Sequence, residues 1–425
     1  MSDYDLPAAA IVDPRCFADP GALHGMLARL RRTDPLPYVE AEGFRPFWLA
    51  TRHADITEIE MASDRFINAP RQAILPLSYE QRSLQQTGGA GVQSMMRNLV
   101  AMDGDEHRAF RGITHTNFLA KSLNSLSSSI NSLATEFVGR LAATGGTCDF
   151  ATDIAMWYPL RVIMTLVGVP AQDEALMLRL TQQILSGQDP EFQRDSGSIS
   201  PFVEMFNYFK PIIEDRRNNP RDDIASVIAN ATIDGAALAE RDVFGYFLIL
   251  ATAGHDTTSY SLAGGLLALL QNPEQFALLR ADPALVPSAV EEMLRWAAPV
   301  RHFCRTATED YEIAGKKLHQ GDVILLCYPS GCRDEAVFGD PDVFRIDRKP
   351  NRHIAFGTGP HLCLGRNLAR MELAAFLREF VARVDHIELA GPARFSESAF
   401  VSGVKNLPVN FRMKEPTSAP ISATA

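Results

Sequence analysis

The residues best suited to chemistry in this 425-residue chain surround Cys363. Cys363 follows Gly357 and Gly359 and precedes Gly365, within the segment HIAFGTGPHLCLGRNLARME. Glycines permit backbone conformations and close approaches that a side chain would block. The apolar spacing after Cys363 predicts a helix, and the unpaired amides of a helix N-terminus favour a cysteine thiolate. The pattern predicts a loop that brings a sulfur close to a large flat partner; a buried free cysteine in a glycine turn is the alternative.

The apolar segment from Phe244 to Leu270 predicts a long helix through the core, and polar residues interrupt it. Asp256 and Thr257 lie in its middle, where apolar residues would cost less to bury. Thr257 follows Ala253 by four residues, so its hydroxyl can donate to that carbonyl and bend the helix. We predict a groove there for a small ligand. The alternative is that Asp256 and Thr257 merely satisfy one another.

The cysteine segment resembles the haem-binding loop of the cytochrome P450 monooxygenases. The resemblance holds at all fixed positions of that loop, which are Phe356, Gly357, Gly359, His361, Cys363 and Gly365. It implies haem b with Cys363 as the axial iron ligand, and a cofactor site that also includes Phe356, Gly357, Gly365 and Ala253. It further implies a mainly α fold with a small β region. In that fold, a triangular prism, the haem lies between a long central helix and the helix that follows the cysteine.

The same resemblance assigns roles to the polar pair in the long helix and to an ion pair elsewhere. Residues at the positions of Asp256 and Thr257 help to deliver protons for dioxygen cleavage, which implies that both are catalytic. Glu292 and Arg295 have the i, i+3 spacing of the family's structural ExxR pair. That spacing also occurs at Glu42, Glu191 and Glu214, and only the position ahead of the cysteine loop selects Glu292. By position, Arg348 is the arginine that joins this scaffold.

Four further residues correspond to family positions that contact the two haem propionates. They are His107, Arg111, Arg305 and His361. His107 and Arg111 lie one helical turn apart, and guanidinium and imidazole groups suit carboxylate ligands. For each one, a surface ion pair is the alternative.

The resemblance implies a reaction in which one atom of dioxygen enters a C–H bond and the other is reduced to water. The electrons come indirectly from NAD(P)H, and the likeness to soluble bacterial members implies a ferredoxin, of the 2Fe-2S type, with its reductase. Positive charge is concentrated between Arg345 and Arg370, against the single acid Asp347. We therefore predict that the ferredoxin docks near Arg108, Arg352 and Arg366. A solvated basic face is the alternative.

Within the family, the segments ATAGHDTTSYS and PNRHIAFGTGPHLCLG are most similar to bacterial hydroxylases of cyclic terpenoids. This similarity favours a compact cyclic terpenoid or an alkyl-aromatic hydrocarbon as substrate. An apolar pocket binds such a molecule by burial, with few polar contacts. The predicted pocket residues, besides Ala253, are Ile249, Thr252, Val300, Phe303, Phe400 and Val401.

Two other functions remain open at this point. A peroxide-driven peroxygenase would bypass the electron carriers, although it would not need Asp256 and Thr257. A non-catalytic haem-based ligand sensor would bind without turnover, although no DNA-binding or signalling module is recognisable.

Composition agrees with a soluble enzyme. The net charge of −10 argues against a general nucleic-acid binder, which needs a basic surface. Six cysteines without a CxxC pair indicate neither a disulfide framework nor a zinc site. The N-terminal segment lacks the apolar run of a signal peptide or a membrane span, so we expect a cytoplasmic protein without membrane attachment.

The chain shows no repeat or linker, which predicts one catalytic domain over residues 1–415 and a disordered tail at 416–425. Strands are predicted at Tyr38–Ala41, Phe47–Ala50 and Val323–Cys327. Mobile loops are predicted around Leu75–Gln93 and Ser186–Ser200.

Overall fold

The computed structural model describes residues 6–86, 97–193 and 200–415. The predicted tail at 416–425 and parts of both predicted loops lie outside these ranges. Within the first loop, Leu77–Gln86 is a helix, so the prediction of a loop was wrong there. Its apolar positions are too sparse to mark a helix face in the sequence.

The described residues are predominantly helical, as expected. Their α-helices are α1 (Pro20–Thr33), α2 (His53–Met61), α3 (Leu77–Gln86), α4 (Gly104–His115), α5 (Ala120–Leu123), α6 (Ser127–Ala143), α7 (Trp157–Leu166), α8 (Glu174–Leu185), α9 (Pro201–Asn218), α10 (Ile224–Ala229), α11 (Glu240–Ala253), α12 (Asp256–Gln271), α13 (Pro273–Ala281), α14 (Val286–Ala297), α15 (Tyr328–Gly331) and α16 (Arg366–Arg383). Short 3-10 turns cover Ala8–Val12, Pro14–Ala18, Leu99–Ala101, Thr116–Phe118, Asn124–Leu126, Ala171–Asp173, Pro190–Phe192, Pro283–Leu285 and Gly359–His361, and a π turn covers Ala151–Ala155.

The strands are short and lie mostly in two sheets. They are β1 (Tyr38–Val39), β2 (Phe47–Ala50), β3 (Phe66–Ile67), β4 (Thr147–Asp149), β5 (Thr232–Ile233), β6 (Ala236–Ala237), β7 (His302–Ala307), β8 (Tyr311–Ile313), β9 (Lys316–Leu318), β10 (Val323–Cys327), β11 (Val384–Leu389), β12 (Arg394–Phe395), β13 (Val404–Asn406) and β14 (Pro408–Met413). The larger sheet has the order β1-β2-β10-β7-β3, and a second has the order β11-β14-β4. The three strands predicted from sequence are present, although the first ends at Val39 and not at Ala41. The central strand, β10, is buried along its whole length.

The helices that carry the chemistry pack in the main hydrophobic core. α12 packs against α14, and α16 packs against α6, through buried residues such as Leu266, Met293 and Phe376. Gly265 permits the close approach of α12 to α14, because a Cβ atom there would overlap the side chain of Met293. The core therefore holds the middle of the central helical segment and the helix after the cysteine in one rigid unit.

The predicted long helix is divided into α11 and α12, with Gly254 and His255 between them. Thr257 Oγ1 donates to the Ala253 carbonyl oxygen at 2.9 Å, as predicted. This side-chain bond competes with the helical ladder and bends the segment. The bend is confirmed, whereas the expectation of one continuous helix was wrong.

None of the helices within the three described ranges combines the length and the apolar character needed to cross a membrane.

Candidate active site

The cysteine loop is fixed to α2 through Glu60. The backbone N–H and the hydroxyl of Thr358 donate to Glu60 Oε2 at 2.7 and 3.0 Å. Gly359 has a φ of 64°, and a Cβ atom there would overlap the Glu60 carbonyl oxygen. The predicted need for glycine is therefore confirmed at Gly359, where both the conformation and the close approach exclude a side chain.

Cys363 lies just ahead of α16, as expected. Its N–H donates to the Phe356 carbonyl oxygen at 2.9 Å, and Gly365 is the N-cap of α16. Burial raises the pKa of the Cys363 thiol, although the Gly365 N–H and the guanidinium of Arg111 act in the opposite direction. The helix N-terminus alone is thus not enough to give a thiolate, and a metal cation beside the sulfur is what would stabilise it.

One cavity joins the cysteine loop to the helix bend, and we call it the inner cavity. It is lined by both Cys363 and Thr257, so the two predicted functional segments face a common space. The other predicted site residues that line it are Phe356, Gly357, His361, Gly365, His107, Arg111, Arg305, Ala253, Ile249, Val300 and Phe303. Most of the site residues predicted from the sequence therefore line this one space.

Three predicted pocket residues do not line the inner cavity. Thr252 is buried, and its hydroxyl donates to the Leu248 carbonyl oxygen at 2.8 Å. Val401 is buried in a β-bridge with Val300. Phe400 lines a second cavity instead, with its ring 5.5 Å from that of Phe303. These three residues lie outside the inner cavity because helix phase and loop direction are set by packing, which spacing alone does not reveal.

Asp256 is also absent from the cavity lining. It is 3% exposed, and its Oδ1 lies 3.1 Å from His255 Nδ1. Burial raises the pKa of Asp256 to about 8, so the carboxyl group is largely protonated at neutral pH. The alternative in which Asp256 and Thr257 satisfy one another is wrong, because the Thr257 hydroxyl donates to Ala253.

The four predicted propionate ligands form one cluster at the cavity. The rings of His107 and His361 are 4.0 Å apart. Burial and neighbouring guanidinium groups lower the pKa of His107 to about 4, and burial with His107 and Arg305 lowers that of His361 to about 2. Arg111 donates to the Leu362 carbonyl oxygen at 2.6 Å, and Arg305 donates to Glu60 Oε1 at 3.1 Å. The alternative of four separate surface ion pairs does not hold.

These observations fit a flat cofactor with two carboxylates. His107 Nε2 is buried without a hydrogen-bond partner among the described residues, and a carboxylate would give it one. The guanidinium of Arg111 would gain a counter-charge from the same groups. Gly365 lines the cavity, and a Cβ atom there would meet no protein atom within 4 Å, which leaves room for a ring beside Cys363. The donor set therefore suits haem b held by Cys363, His107, Arg111, Arg305 and His361.

The predicted scaffold around Glu292 is present in full. Arg295 donates to Glu292 through Nε and Nη2 at 2.8 and 2.7 Å, and both side chains are fully buried. Arg348 Nε lies 3.2 Å from Glu292 Oε2. Arg348 also donates to the carbonyl oxygens of Gly339 and Val343 at 2.7 Å. One buried carboxylate thus ties two guanidinium groups to the segment that leads into the cysteine loop.

The predicted basic surface is smaller than the sequence indicated. Arg345 and Arg370 pair with Asp347 and Glu291, and Arg348 is buried against Glu292. Among the described ranges, no ion pair is found for Lys349, Arg352 or Arg366. Arg366 donates to the Cys363 carbonyl oxygen at 3.2 Å, and Arg108 pairs with Asp105.

Sequence reasoning missed several polar residues of the inner cavity. Glu60 receives hydrogen bonds from Arg305, Tyr328 and Thr358, yet nothing in the local sequence of α2 marks it. Glu372 lines the cavity while 1% exposed, and burial raises its pKa. A charged residue nine positions after Cys363, on the apolar face of the following helix, was the available signal for Glu372.

Glu291 and Arg370 form another contact that was not foreseen. Arg370 donates to both oxygens of Glu291 at 2.6 and 2.8 Å, and its guanidinium lies 4.7 Å from the centre of the Phe356 ring. His353 Nε2 lies 3.1 Å from Glu291 Oε2. Although burial acts to raise it, Arg370 and His353 lower the pKa of Glu291 to about 2. This ionised carboxylate joins both ends of the cysteine loop to α14.

Known proteins resemble this chain in both sequence and structure. The family model described as Cytochrome P450 matches residues 279–407. The chain is 40% identical to Cytochrome P450-terp of a Pseudomonas species over 95% of its own length and 97% of that protein. It is 32% identical to linalool 8-monooxygenase of Pseudomonas putida, with 91% and 95% of the two chains covered.

Solved structures agree with the sequence relatives. The crystal structure of CYP108D1 from Novosphingobium aromaticivorans superimposes with a TM-score of 0.89 at 39% identity, covering 95% of this chain and 98% of that one. Such agreement over nearly the whole length confirms the mainly α fold with its small β region.

Proposed function

The chain belongs to the cytochrome P450 family, and from this premise we propose that it is a bacterial-type monooxygenase that hydroxylates a compact apolar molecule. We infer a cyclic terpenoid or an alkyl-aromatic hydrocarbon as the substrate class. Haem b and dioxygen are implied by the family, as are electrons that come from NAD(P)H through redox partners.

One observation carries the proposal. Cys363 and Thr257 line the same cavity, and the side chains of Ile249, Val300 and Phe303 line it as well. An apolar molecule would bind there chiefly by burial, close to the hydroxyl of Thr257. Two relatives support the terpenoid class: Cytochrome P450-terp at 40% identity, and an enzyme named linalool 8-monooxygenase at 32%.

A thiolate-ligated haem, when bound, supplies dioxygen cleavage and the insertion of one oxygen atom into a C–H bond. The protein residues bind, orient and protonate. Cys363 would ligate the iron, while His107, Arg111, Arg305 and His361 would bind the propionates. Thr257 lines the cavity, and the neutral carboxyl group of Asp256 holds a proton one residue away in the chain. We infer that this pair supplies protons to the reduced dioxygen.

We further propose that a ferredoxin delivers the electrons at the surface near Lys349, Arg352, Arg366 and Arg108. The first three form no ion pair within the described part of the chain, so they offer positive charge to an acidic partner. We also infer a cytoplasmic location, because all six cysteines are free, as is usual in a reducing compartment.

The test is an absorbance titration of the purified ferric protein with α-terpineol, p-cymene, camphor, biphenyl and a steroid. We expect a saturable low-spin to high-spin shift with a monoterpenoid or p-cymene, followed by a hydroxylated product in turnover with a ferredoxin and its reductase. A shift with the steroid alone would contradict the substrate class. Product from peroxide alone, with none from the redox partners, would favour the peroxygenase.

Two aromatic substitutions give a matched comparison. Phe303→Ala removes a ring from the inner cavity, whereas Phe400→Ala removes one from the second cavity. We expect Phe303→Ala to raise the Kd of the preferred ligand severalfold and Phe400→Ala to change it less. A larger increase in Kd for Phe400→Ala than for Phe303→Ala would place the substrate in the second cavity.

A further inference from the structure

Glu60 on α2 is a buried acid that contacts two separate segments of the candidate site. Its side chain is 3% exposed, and the residue lines the inner cavity. Oε1 accepts from Arg305 Nη2 at 3.1 Å and from the Tyr328 hydroxyl at 2.7 Å. Oε2 accepts from the N–H and the hydroxyl of Thr358 at 2.7 and 3.0 Å. One oxygen therefore faces a predicted propionate ligand, and the other faces the cysteine loop.

The four donors complete the hydrogen bonding of this carboxylate. A guanidinium and a backbone N–H can only donate, so the contacts from Arg305 and Thr358 need an oxygen with a free lone pair. Tyr328 is 2% exposed, and burial together with the charge of Glu60 raises the pKa of Tyr328, so its hydroxyl keeps the hydrogen that it donates. A carboxylate offers about four acceptor positions. The orientation of Glu60 is thus fixed from both sides.

Arg305 is held by Glu60 and still has donors for a second carboxylate. Its Nη1 donates to the Cys304 carbonyl oxygen at 3.0 Å, while Nη2 donates to Glu60. A guanidinium has five N–H donors, so these two contacts leave others that can bind a propionate in the cavity that Arg305 lines. A buried cation without a counter-charge is strongly destabilising. Glu60 therefore keeps the guanidinium at the cavity wall before any propionate binds it.

The cysteine loop comes close enough to Glu60 because of two glycines. Gly357 has a φ of 68°, and a Cβ atom there would lie 3.2 Å from Glu60 Oε1. A Cβ atom at Gly359 would overlap the Glu60 carbonyl oxygen. Phe356, next to Gly357, accepts from the N–H of Cys363 at 2.9 Å. The contact between Glu60 and Thr358 therefore helps to determine where the Cys363 sulfur lies.

We propose that Glu60 is a positioning residue that couples the two attachments of the cofactor. Through Oε1 it holds Arg305 for a propionate, and through Oε2 it holds the loop that presents Cys363 to the iron. This inference rests on the proposed haem site, in which Cys363 is the iron ligand and Arg305 binds a propionate. Loss of the Glu60 carboxylate should weaken both attachments together.

The test uses two substitutions of Glu60 that remove different numbers of acceptors. Glu60→Met has a similar length and loses both carboxylate oxygens. Glu60→Gln keeps one oxygen, and its NH2 group meets either the guanidinium of Arg305 or the N–H of Thr358, so one of these hydrogen bonds is lost whichever way the amide turns. Glu174→Met is the matched control, because Glu174 is also 3% exposed and pairs with Arg161 but does not line the inner cavity.

Two readouts report the two attachments without any turnover. Transfer of haem from the purified protein to excess apomyoglobin gives the rate of haem release. The absorbance spectrum of the reduced protein with carbon monoxide gives the share of haem that keeps its thiolate ligand. We expect Glu60→Met to release haem severalfold faster than the wild type and to show a smaller thiolate-ligated share. Glu60→Gln should lie between the two in its rate of haem release.

Glu174→Met should lower the urea unfolding midpoint while both haem readouts stay near those of the wild type. The inference is overturned if Glu60→Met matches the wild type in both readouts, or if Glu174→Met changes them as much as Glu60→Met does. Should Glu60→Met not fold, haem release from Glu60→Gln that is no faster than from the wild type overturns it. A wild type without a thiolate-type spectrum would instead contradict the proposed function itself.

A double substitution tests whether Glu60 acts through Arg305. If it does, adding Glu60→Gln to Arg305→Gln should accelerate haem release by a smaller factor than Glu60→Gln does in the wild type. Equal factors in the two backgrounds would overturn the proposed link between Glu60 and the propionate ligand.

Discussion

At the scale of single residues, the hydroxyl of Thr257 is the group whose loss should have the clearest effect on turnover. Its hydroxyl donates to the Ala253 carbonyl oxygen, and the residue lines the inner cavity. Thr257→Ala should keep substrate binding but divert NAD(P)H electrons to hydrogen peroxide, so that the fraction recovered in product falls severalfold. Peroxide and product yields in the same reaction measure this. Thr257→Ser keeps the hydroxyl, so the fraction of NAD(P)H electrons recovered in product should stay close to that of the wild type. If Thr257→Ala recovered the same fraction as the wild type, Thr257 would have no part in proton delivery.

The buried carboxyl group of Asp256 should make the free energy of unfolding depend on pH. Burial raises its pKa from 3.8 to about 8, so between these pH values the folded protein holds a proton that the unfolded chain has released. The contribution of this carboxyl group to the free energy of unfolding therefore falls as the pH rises from about 4 to about 8. The side chain of Asp256→Asn cannot ionise. The free energy of unfolding of this variant, relative to that of the wild type, should therefore increase by up to about 1.4 kcal/mol per pH unit in that window.

Urea unfolding of both proteins at several pH values checks this. The exposed residue Asp222 supplies the control, because Asp222→Asn should show no such widening. A constant difference between Asp256→Asn and the wild type would mean that Asp256 is ionised in the folded protein.

Candidate site residues can be recognised in the sequence where their neighbours in the chain form a pattern. Cys363 and Thr257 were found because a loop and a helix bend have local patterns. Glu60 and Glu372 were missed because their importance comes from segments that only folding brings together. Phe400 lines the second cavity and not the inner one for the same reason, since the direction of a loop side chain depends on tertiary packing.

At the scale of elements, the bend between α11 and α12 depends on Gly254. A Cβ atom there would lie 2.7 Å from Ile163 Cγ1 and 2.9 Å from the Leu250 carbonyl oxygen. Gly254→Ala should therefore destabilise the protein by about 1–3 kcal/mol through overpacking. The urea unfolding midpoint measures the change.

Gly139, inside α6, is the matched control because a Cβ atom there meets nothing within 4 Å. Gly139→Ala should be neutral or stabilising by about 0.5–1 kcal/mol. Adding Ile163→Val to Gly254→Ala should recover part of the loss. If both glycine variants behaved alike, close packing at the bend would not be what requires Gly254.

The elements also show why a continuous helix was predicted and a broken one found. Apolar periodicity runs from Phe244 to Leu270 without a proline, so the pattern indicates one helix. The break arises from a side-chain hydrogen bond and from contact with Ile163 on α7, and neither changes the periodicity. The strands of the larger sheet were predictable because β10 is apolar throughout and β1 and β2 flank a turn.

At the scale of the whole molecule, electron delivery requires a docking surface on the cysteine side. Arg352 tests this more cleanly than Arg366, because Arg366 also donates to the Cys363 carbonyl oxygen. Arg352→Glu should slow the first electron transfer from the ferredoxin several-fold at low salt and weaken its salt dependence, with haem content preserved. Stopped-flow reduction under carbon monoxide measures the rate.

Arg412→Glu introduces the same charge change elsewhere. Arg412 lies on β14, opposite a residue of β11. Strand β11 follows the C-terminal end of α16, and this 18-residue helix is about 27 Å long, so Arg412 is far from the cysteine loop at the other end. Its reduction rate should stay near that of the wild type. Equal slowing by both variants would indicate a general effect of net charge rather than docking near Arg352.

The central claim is that Cys363 ligates the iron of a haem in the cavity it shares with Thr257. Its most direct test is the absorbance spectrum of the reduced protein with carbon monoxide, for the wild type, Cys363→Ala and Cys148→Ala. We expect the spectrum of a thiolate-ligated haem in the wild type and in Cys148→Ala, since Cys148 lies on β4 and does not line that cavity. Cys363→Ala should lose that spectrum. A thiolate-type spectrum that persists in Cys363→Ala would contradict the account.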